Sequence, residues 1–301
     1  MKISRIAASA SLQLLKYVAG ELSPGERSYL ARQLMQDRFD PRTRALGDLF
    51  NKSVLAWKNK QYHVEDNGEA ALLRRLRPFA PKVLFDVGAN VGDWSEAALA
   101  AIPDVHVHAF EIAPATALEL SRTLAPHSAR VTLNAFGLGA RAGDIKLYFT
   151  PESTTAASMV PGVVDLSARE HHIHTVEEVT AEIRTGDQYL ADNHIDRVDF
   201  LKIDVEGAEW DVLEGFSSAF ADNRIQLVQF EYGLINLQTR KFLTDYWRFL
   251  TDRGFTVGKL YPEGVAFKDY DVSDEDFIGP NFIACLNSRT DLLQGLKCEG
   301  L

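Results

Sequence analysis

Four short apolar runs in this sequence close on, or one residue before, an acidic turn: Lys82 to Val87, which contains Asp86, Val105 to Glu111, Val198 to Asp204, and Ile225 to Glu231. Runs of six or seven residues with so little polar character have no wet face, so they read as strands buried on both sides. Val131 to Asn134 is a further strand, and Phe255 to Tyr261 and Phe282 to Leu286 are the last two. Segments at helical spacing separate them: Trp94 to Ala101, Pro114 to Leu124, a helix from about Ala208, and one from about Thr239 to Arg253. Apolar strands alternating with helices predict a doubly wound, mostly parallel sheet with helices on both faces. Ligands of such sheets bind beyond the carboxyl ends of the strands. That singles out Asp86, Glu111, Asp204 and Glu231.

Composition narrows the partners. With 301 residues, 46% of them hydrophobic and 25% charged, the chain has ample material for a core, which excludes a disordered or collagen-like chain. Acidic residues outnumber basic ones 42 to 32, and a net charge of -10 repels phosphate backbones, so a nucleic-acid partner is not expected. Cys285 and Cys298 make neither a disulfide framework nor a metal cluster, and a reducing, cytoplasmic setting is the expectation. No apolar run approaches the ~20 residues of a membrane-spanning helix. Lys2 and Arg5 precede an apolar stretch, but Ser9, Ser11 and Gln13 interrupt it, which favours an amphipathic helix over an export signal.

Residues 1–77 read as a helical extension and 78–301 as the main domain. Ser23 caps a helix, with Pro24 in its first position and Glu26 completing the capping box. Nothing in the extension is chemically reactive by type. It is expected to pack as a cap or to form a homodimer, with a substrate lid or membrane-surface contact as the alternatives. Between the third and fourth strands, Asp144 to Phe149 and Val179 to Arg184 alternate like half-exposed strands and predict an added antiparallel element. The long loop between them carries His171, His172 and His174. Three histidines at that spacing make a poor zinc site and read first as a solvated loop, with one of them, His172, as a candidate general base.

The turn Asp86-Val-Gly-Ala-Asn-Val-Gly92 lets the backbone bend tightly at Gly88 and Gly92, and the next helix offers free amides to an anion. Glu111 lies 19 residues beyond Gly92, a spacing that suits a carboxylate accepting from a ribose diol. The dinucleotide pattern of three glycines is absent, which disfavours a nicotinamide cofactor and fits a nucleoside with an amino-acid tail.

The segments Phe85-Asp86-Val-Gly-Ala-Asn-Val-Gly92, Phe110-Glu111 and Leu201-Lys-Ile-Asp-Val-Glu-Gly-Ala-Glu209, with Val212-Leu213-Glu-Gly215, resemble the FkbM-type methyltransferases. The likeness runs from about Leu84 to Leu286, roughly two thirds of the chain. That family uses S-adenosylmethionine and mostly O-methylates sugars and natural products. The resemblance implies a class I methyltransferase fold, a Rossmann-like sheet of seven strands with the last antiparallel. It implies that Asp86, Gly88, Asn90 and Gly92 line the methionine end of the cofactor and that Glu111 holds the ribose. It places Asn134, Ala135 and Phe136 near the adenine and Asp204 beside the reacting centre. The acceptor would be a small molecule or a glycan.

A sugar hydroxyl is a poor nucleophile while protonated, and a base taking its proton is worth roughly 10²–10⁴-fold. Asp204 is the first candidate, with Glu231 next. Glu206 could face the site, whereas Glu209 reads as a solvated acid in the first turn of a helix. Asp204 and Glu231 end neighbouring strands and could share Mg²⁺, whose hard-oxygen preference suits them. The competing readings are an NAD-dependent oxidoreductase and a non-catalytic nucleoside-binding domain.

Overall fold

A computed structural model describes residues 5–150, 153–158 and 177–298. It divides into two compact units, 1–57 and 58–301. The boundary therefore falls between Trp57 and Lys58, not at the expected 77/78. The first unit holds three helices, α1 (Arg5–Glu21), α2 (Pro24–Leu34) and α3 (Pro41–Trp57). Ser23 caps α2 as its sequence predicts: its Oγ accepts from the Glu26 amide, and Glu26 accepts from the Ser23 amide.

The second unit opens with α4 (Glu69–Leu76), then β1 (Val83–Val87), α5 (Asp93–Ala101), β2 (His106–Phe110), α6 (Pro114–Leu124) and β3 (Val131–Asn134). The strands β4 (Gly137–Leu138), β5 (Gly143–Thr150), β6 (Ser153–Ser158) and β7 (Glu177–Arg184) follow, then α7 (Gly186–Asp192) and β8 (Phe200–Ile203). Next are α8 (Glu209–Gly215), α9 (Ser217–Ala221), β9 (Leu227–Glu231), α10 (Asn236–Thr239) and α11 (Leu243–Thr251). The strands β10 (Phe255–Tyr261), β11 (Gly264–Phe267) and β12 (Asn281–Leu286) precede the last helix, α12 (Thr290–Leu296).

The main sheet runs β11-β10-β12-β9-β8-β1-β2-β3. From β9 to β3 neighbours are parallel, while β12 lies antiparallel to both β9 and β10. The sheet thus has eight strands where seven were expected, because Gly264–Phe267 adds a hairpin partner to β10 at the edge. The core strands β1, β2, β8 and β9 are buried nearly throughout, as their mostly apolar runs require. Leucines and Trp94 from α4, α5, α6 and α12 pack one face of the sheet. Aromatic and aliphatic side chains from α7, α8, α9 and α11 pack the other. Helix α4 supplies Leu72, Leu73 and Leu76 to that first core, which is why residues 58–77 belong to this unit.

The expected antiparallel element is present: β5 pairs with β7 from Gly143↔Ile183 to Phe149↔Glu177. It forms a second sheet in the order β4-β7-β5-β6. The histidine loop, with His171, His172 and His174, lies outside the described residues.

Candidate active site

The chain leaves β1 toward β2 and β3, then returns to place β8 against the other side of β1. This reversal opens a crevice at the carboxyl ends of β1 and β8, where doubly wound folds bind ligands. A cavity of about 190 Å3 lies there, lined among others by Gly88, Asn90, Trp94, Glu111, Lys202, Asp204 and Glu206.

The β1–α5 turn is shaped by positive φ at Gly88, Asn90 and Gly92. At Gly88 a Cβ would lie 1.7 Å from the Asp204 carbonyl oxygen, so only glycine lets the ends of β1 and β8 approach this closely. Gly92 also has a packing task that its sequence position did not suggest. The space its missing side chain leaves is bordered by Leu120 and Thr123 of α6, so the glycine also serves helix packing. Glu111 is fixed by backbone: the amides of Asn90 and Ala113 donate to its two oxygens at 2.9 and 2.8 Å. Burial raises its pKa, and those two amides oppose the shift.

Asp86 does not line the cavity. It is fully buried beneath the turn, where its Oδ2 accepts from Ser95 Oγ at 2.7 Å and its Oδ1 lies 3.0 Å from Lys202 Nζ. The register explains the pair: Asp86 and Lys202 sit opposite each other on β1 and β8, and Gln229 of β9 sits opposite Lys202. A polar row therefore crosses the middle of an apolar sheet. Lys202 also donates to the Gly88 carbonyl at 3.0 Å and stands 3.4 Å from Asp204. Burial works against its charge, but Asp86, Asp204 and Glu69 hold the ammonium well above the ordinary lysine value. Buried Glu69, on α4, completes the row by accepting from Gln229 and Asn67.

Lys202 and Glu69 were not singled out in the sequence. A lysine inside an otherwise apolar central strand was the available signal, because lysine is almost never fully buried unless paired. Glu69 gave none, since α4 is brought to the sheet only by packing.

The other wall is acidic. Oxygens of Asp204, Glu206 and Glu231 all lie within 4.8 Å of one another. Asp204 and Glu206 line the cavity, and Glu231, which does not, is hydrogen-bonded to Asp204. Burial and the neighbouring carboxylates push Glu206 up to about 8 and Glu231 well above its ordinary value. Glu209 is the clearest departure from expectation, being wholly buried, not solvated. Its Oε1 accepts from the amides of Val205 and Gly207 at 3.1 and 3.0 Å, its Oε2 has no hydrogen-bond partner, and burial raises its pKa to about 7.

Asn134, Ala135 and Phe136 do not line the cavity either. Asn134 Nδ2 donates to the carbonyls of Ala109 and Thr132, and Phe136 packs against Phe110 and Tyr189. The next residues, Gly137 and Leu138, do line the cavity. His106 and His108 are structural: they share hydrogen bonds with Thr132 and Tyr189.

The crevice fits a nucleoside cofactor on its own evidence. Asn90 Oδ1 and Trp94 Nε1 are buried polar atoms without a hydrogen-bond partner, and both residues line the cavity. Such orphan groups are rare in folded proteins and call for an explanation. With the Gly88 approach and the anchored Glu111, they form a cradle offering an acceptor, a donor and a carboxylate.

Fold and crevice together define an S-adenosylmethionine-dependent methyltransferase domain. The profile of the methyltransferase FkbM domain family matches residues 86–257, more than half of the chain, and the chain belongs to that family. It is 26% identical over 200 residues to the hexuronic acid methyltransferase AglP of Haloferax volcanii, covering 64% of this chain and 77% of that protein. It is 31% identical over 153 residues to the methyltransferase sdnD of Sordaria araneosa (44% and 59%). With the 31-O-demethyl-FK506 methyltransferase FkbM of Streptomyces tacrolimicus it shares 29% over 166 residues (48% and 62%). The chain thus spans about three fifths of the length of the last two.

Proposed function

We propose that this protein transfers a methyl group from S-adenosylmethionine to a hydroxyl of a sugar, a glycan or a glycosylated natural product. The observation that carries the reading is the two-walled cavity: an anchored carboxylate and two orphan polar groups on one side, Asp204 and Glu206 on the other. The relative named for a hexuronic acid supports a sugar acceptor.

When bound, S-adenosylmethionine supplies an electrophilic methyl carbon on a sulfonium. In this reading Glu111 accepts from the ribose hydroxyls, Asn90 and Gly88 hold the amino-acid end, and Leu138 and Gly137 face the base. Lys202 locks the ends of β1 and β8 together through Asp86, Gly88 and Asp204. Asp204 lines the cavity with its side chain 40% exposed, and it takes the acceptor's proton as the oxygen–carbon bond forms. Glu231, whose pKa burial and the acidic neighbours hold well above its ordinary value, steadies Asp204 through their hydrogen bond. The mutual spacing of Asp204, Glu206 and Glu231 favours a second reading, in which these three carboxylates would hold Mg²⁺ and the ion would supply Lewis-acid activation of the acceptor hydroxyl.

Calorimetric titration with S-adenosylmethionine, S-adenosylhomocysteine and NAD⁺, with and without Mg²⁺, tests the cofactor. Micromolar binding of the sulfur nucleosides alone is expected, and binding of NAD⁺ alone overturns the reading. A screen of sugars and uronides with labelled methyl donor tests the acceptor. On the acceptor found, Asp204→Asn should lower kcat at least ~100-fold with cofactor affinity kept, and an unchanged kcat removes Asp204 as the base.

A further inference from the structure

Charge is divided unevenly along the chain. Residues 1–57 carry nine basic and five acidic residues, a net +4, while residues 58–301 carry 23 and 37, a net -14. The basic unit also leaves its apolar side chains uncovered. No residue of α2 or α3 is buried. On α3, Leu49, Phe50, Val54 and Trp57 fall on one helical face and are 58%, 41%, 43% and 76% exposed. Leu14, Leu15, Tyr17 and Val18 of α1 are exposed as well, as are Tyr29 and Leu30 of α2 and Phe39 beyond it. By helical spacing Arg44 and Lys52 fall away from the apolar stripe of α3, with Lys52 paired to Asp48 at 2.9 Å and Arg44 over the Phe39 ring.

Soluble domains seldom leave this much apolar and aromatic surface uncovered without a partner for it. We propose that residues 5–57 bind an anionic lipid surface, with the α3 stripe and the exposed α1 side chains at the acyl boundary and the basic residues among the headgroups. Amphipathic helices rich in Lys and Arg, with Trp, Phe and Leu on the apolar side, bind membranes in this way, and each basic residue near an anionic leaflet adds to the attraction. A second copy of the chain fits less well. A stable protein interface needs a packed, shape-complementary core, and α2 and α3 bury none of their side chains to stiffen one. No helix of the described residues is long and apolar enough to cross a membrane, so the contact is peripheral. It would bring the methyltransferase unit to acceptors carried on lipids.

The test is co-sedimentation of the full chain with phosphatidylcholine vesicles, and with vesicles containing about 30% phosphatidylglycerol. Binding to the anionic vesicles should exceed binding to the neutral ones at least about fivefold, and salt at about 0.5 M should release it. Phe50→Asp with Trp57→Asp should cut the anionic binding about tenfold. Calorimetric affinity for S-adenosylmethionine, whose cavity lies wholly within residues 58–301, should not change in that double variant. Absence of vesicle binding with cofactor binding intact overturns the proposal and leaves the methyltransferase reading standing. So does equal binding to both vesicle types. Light scattering that shows a dimer of the native chain and a monomer of the double variant also overturns it, by assigning the surface to a second copy.

Discussion

On the Glu111 side of the cavity the buried carboxylates are held by fixed donors and a buried lysine. Two backbone amides hold Glu111, and Ser95 and Lys202 hold Asp86. On the Glu231 side, Asp204, Glu206 and Glu231 crowd within 4.8 Å while Glu209 keeps one buried oxygen without a hydrogen-bond partner. The first wall is fixed by donors that stay the same at any ordinary pH. The second is relieved by protons, so its charge depends on pH and on what else enters the site. Preorganisation suits cofactor binding, which needs a constant shape. A group that gains and loses protons near neutrality suits the chemical step.

The largest effect expected of any change to the fixed wall is at Gly88. Gly88→Ala would drive a Cβ into the Asp204 carbonyl at 1.7 Å, at a φ of +81° that already disfavours a side chain. It should cost about 4–5 kcal/mol in chemical denaturation and abolish cofactor binding. Gly233→Ala is the control, since nothing lies within 4 Å of the added atom, and it should stay within about 0.5 kcal/mol. Equal costs at the two glycines would show that the close approach of β1 and β8 does not shape the site.

The relieved wall predicts a pH effect of definite sign. Burial raises Glu209 to about 7 from an ordinary 4.5. Below pH 4.5 the acid is protonated in both folded and unfolded chains and its contribution is fully present. As pH rises, the unfolded chain releases its proton first, so stability is lost until the folded group ionises near pH 7. A glutamine side chain mimics the protonated acid and keeps the Oε1 acceptor. Glu209→Gln should therefore gain about 3 kcal/mol over the native chain between pH 4.5 and pH 8, in denaturation profiles recorded with chelator present. A difference independent of pH would mean that the acidic wall is not held by protons.

The two walls also differ in how far the sequence revealed them. The Asp86–Gly92 turn, Glu111 and the strand-end acids are local: each follows from an apolar run and the turn that must end it. The alternation of strands and helices likewise predicted the parallel centre of the sheet. What escaped was set by register and packing. Asp86 moved from the ligand to the lysine opposite it, a pairing that only the alignment of β1 with β8 creates. Glu209 looks like a solvated helix-start acid, and it is buried because the Val205–Gly207 turn folds over it. Gly137 and Leu138 line the cavity where Asn134–Phe136 were expected, since the Asn134 side chain is committed to closing β3 against β2. Edge strand β11 offered four residues, too short for its period to stand out.

Asn90 gives the smallest effect and the sharpest separation of binding from folding. Its positive φ of 49° is one that glycine adopts freely, and its Oδ1 is buried without a hydrogen-bond partner. Removing an unmatched buried acceptor relieves a desolvation cost, whereas removing one that a ligand satisfies loses a bond. Asn90→Gly should therefore change stability by less than about 1 kcal/mol, the entropy of glycine offsetting the relief. Affinity for S-adenosylmethionine should fall about tenfold, worth ~1.4 kcal/mol, by calorimetry. If affinity held while stability fell, Asn90 would serve the turn and not the ligand, and the fixed wall would owe its cofactor recognition to Glu111 and Trp94.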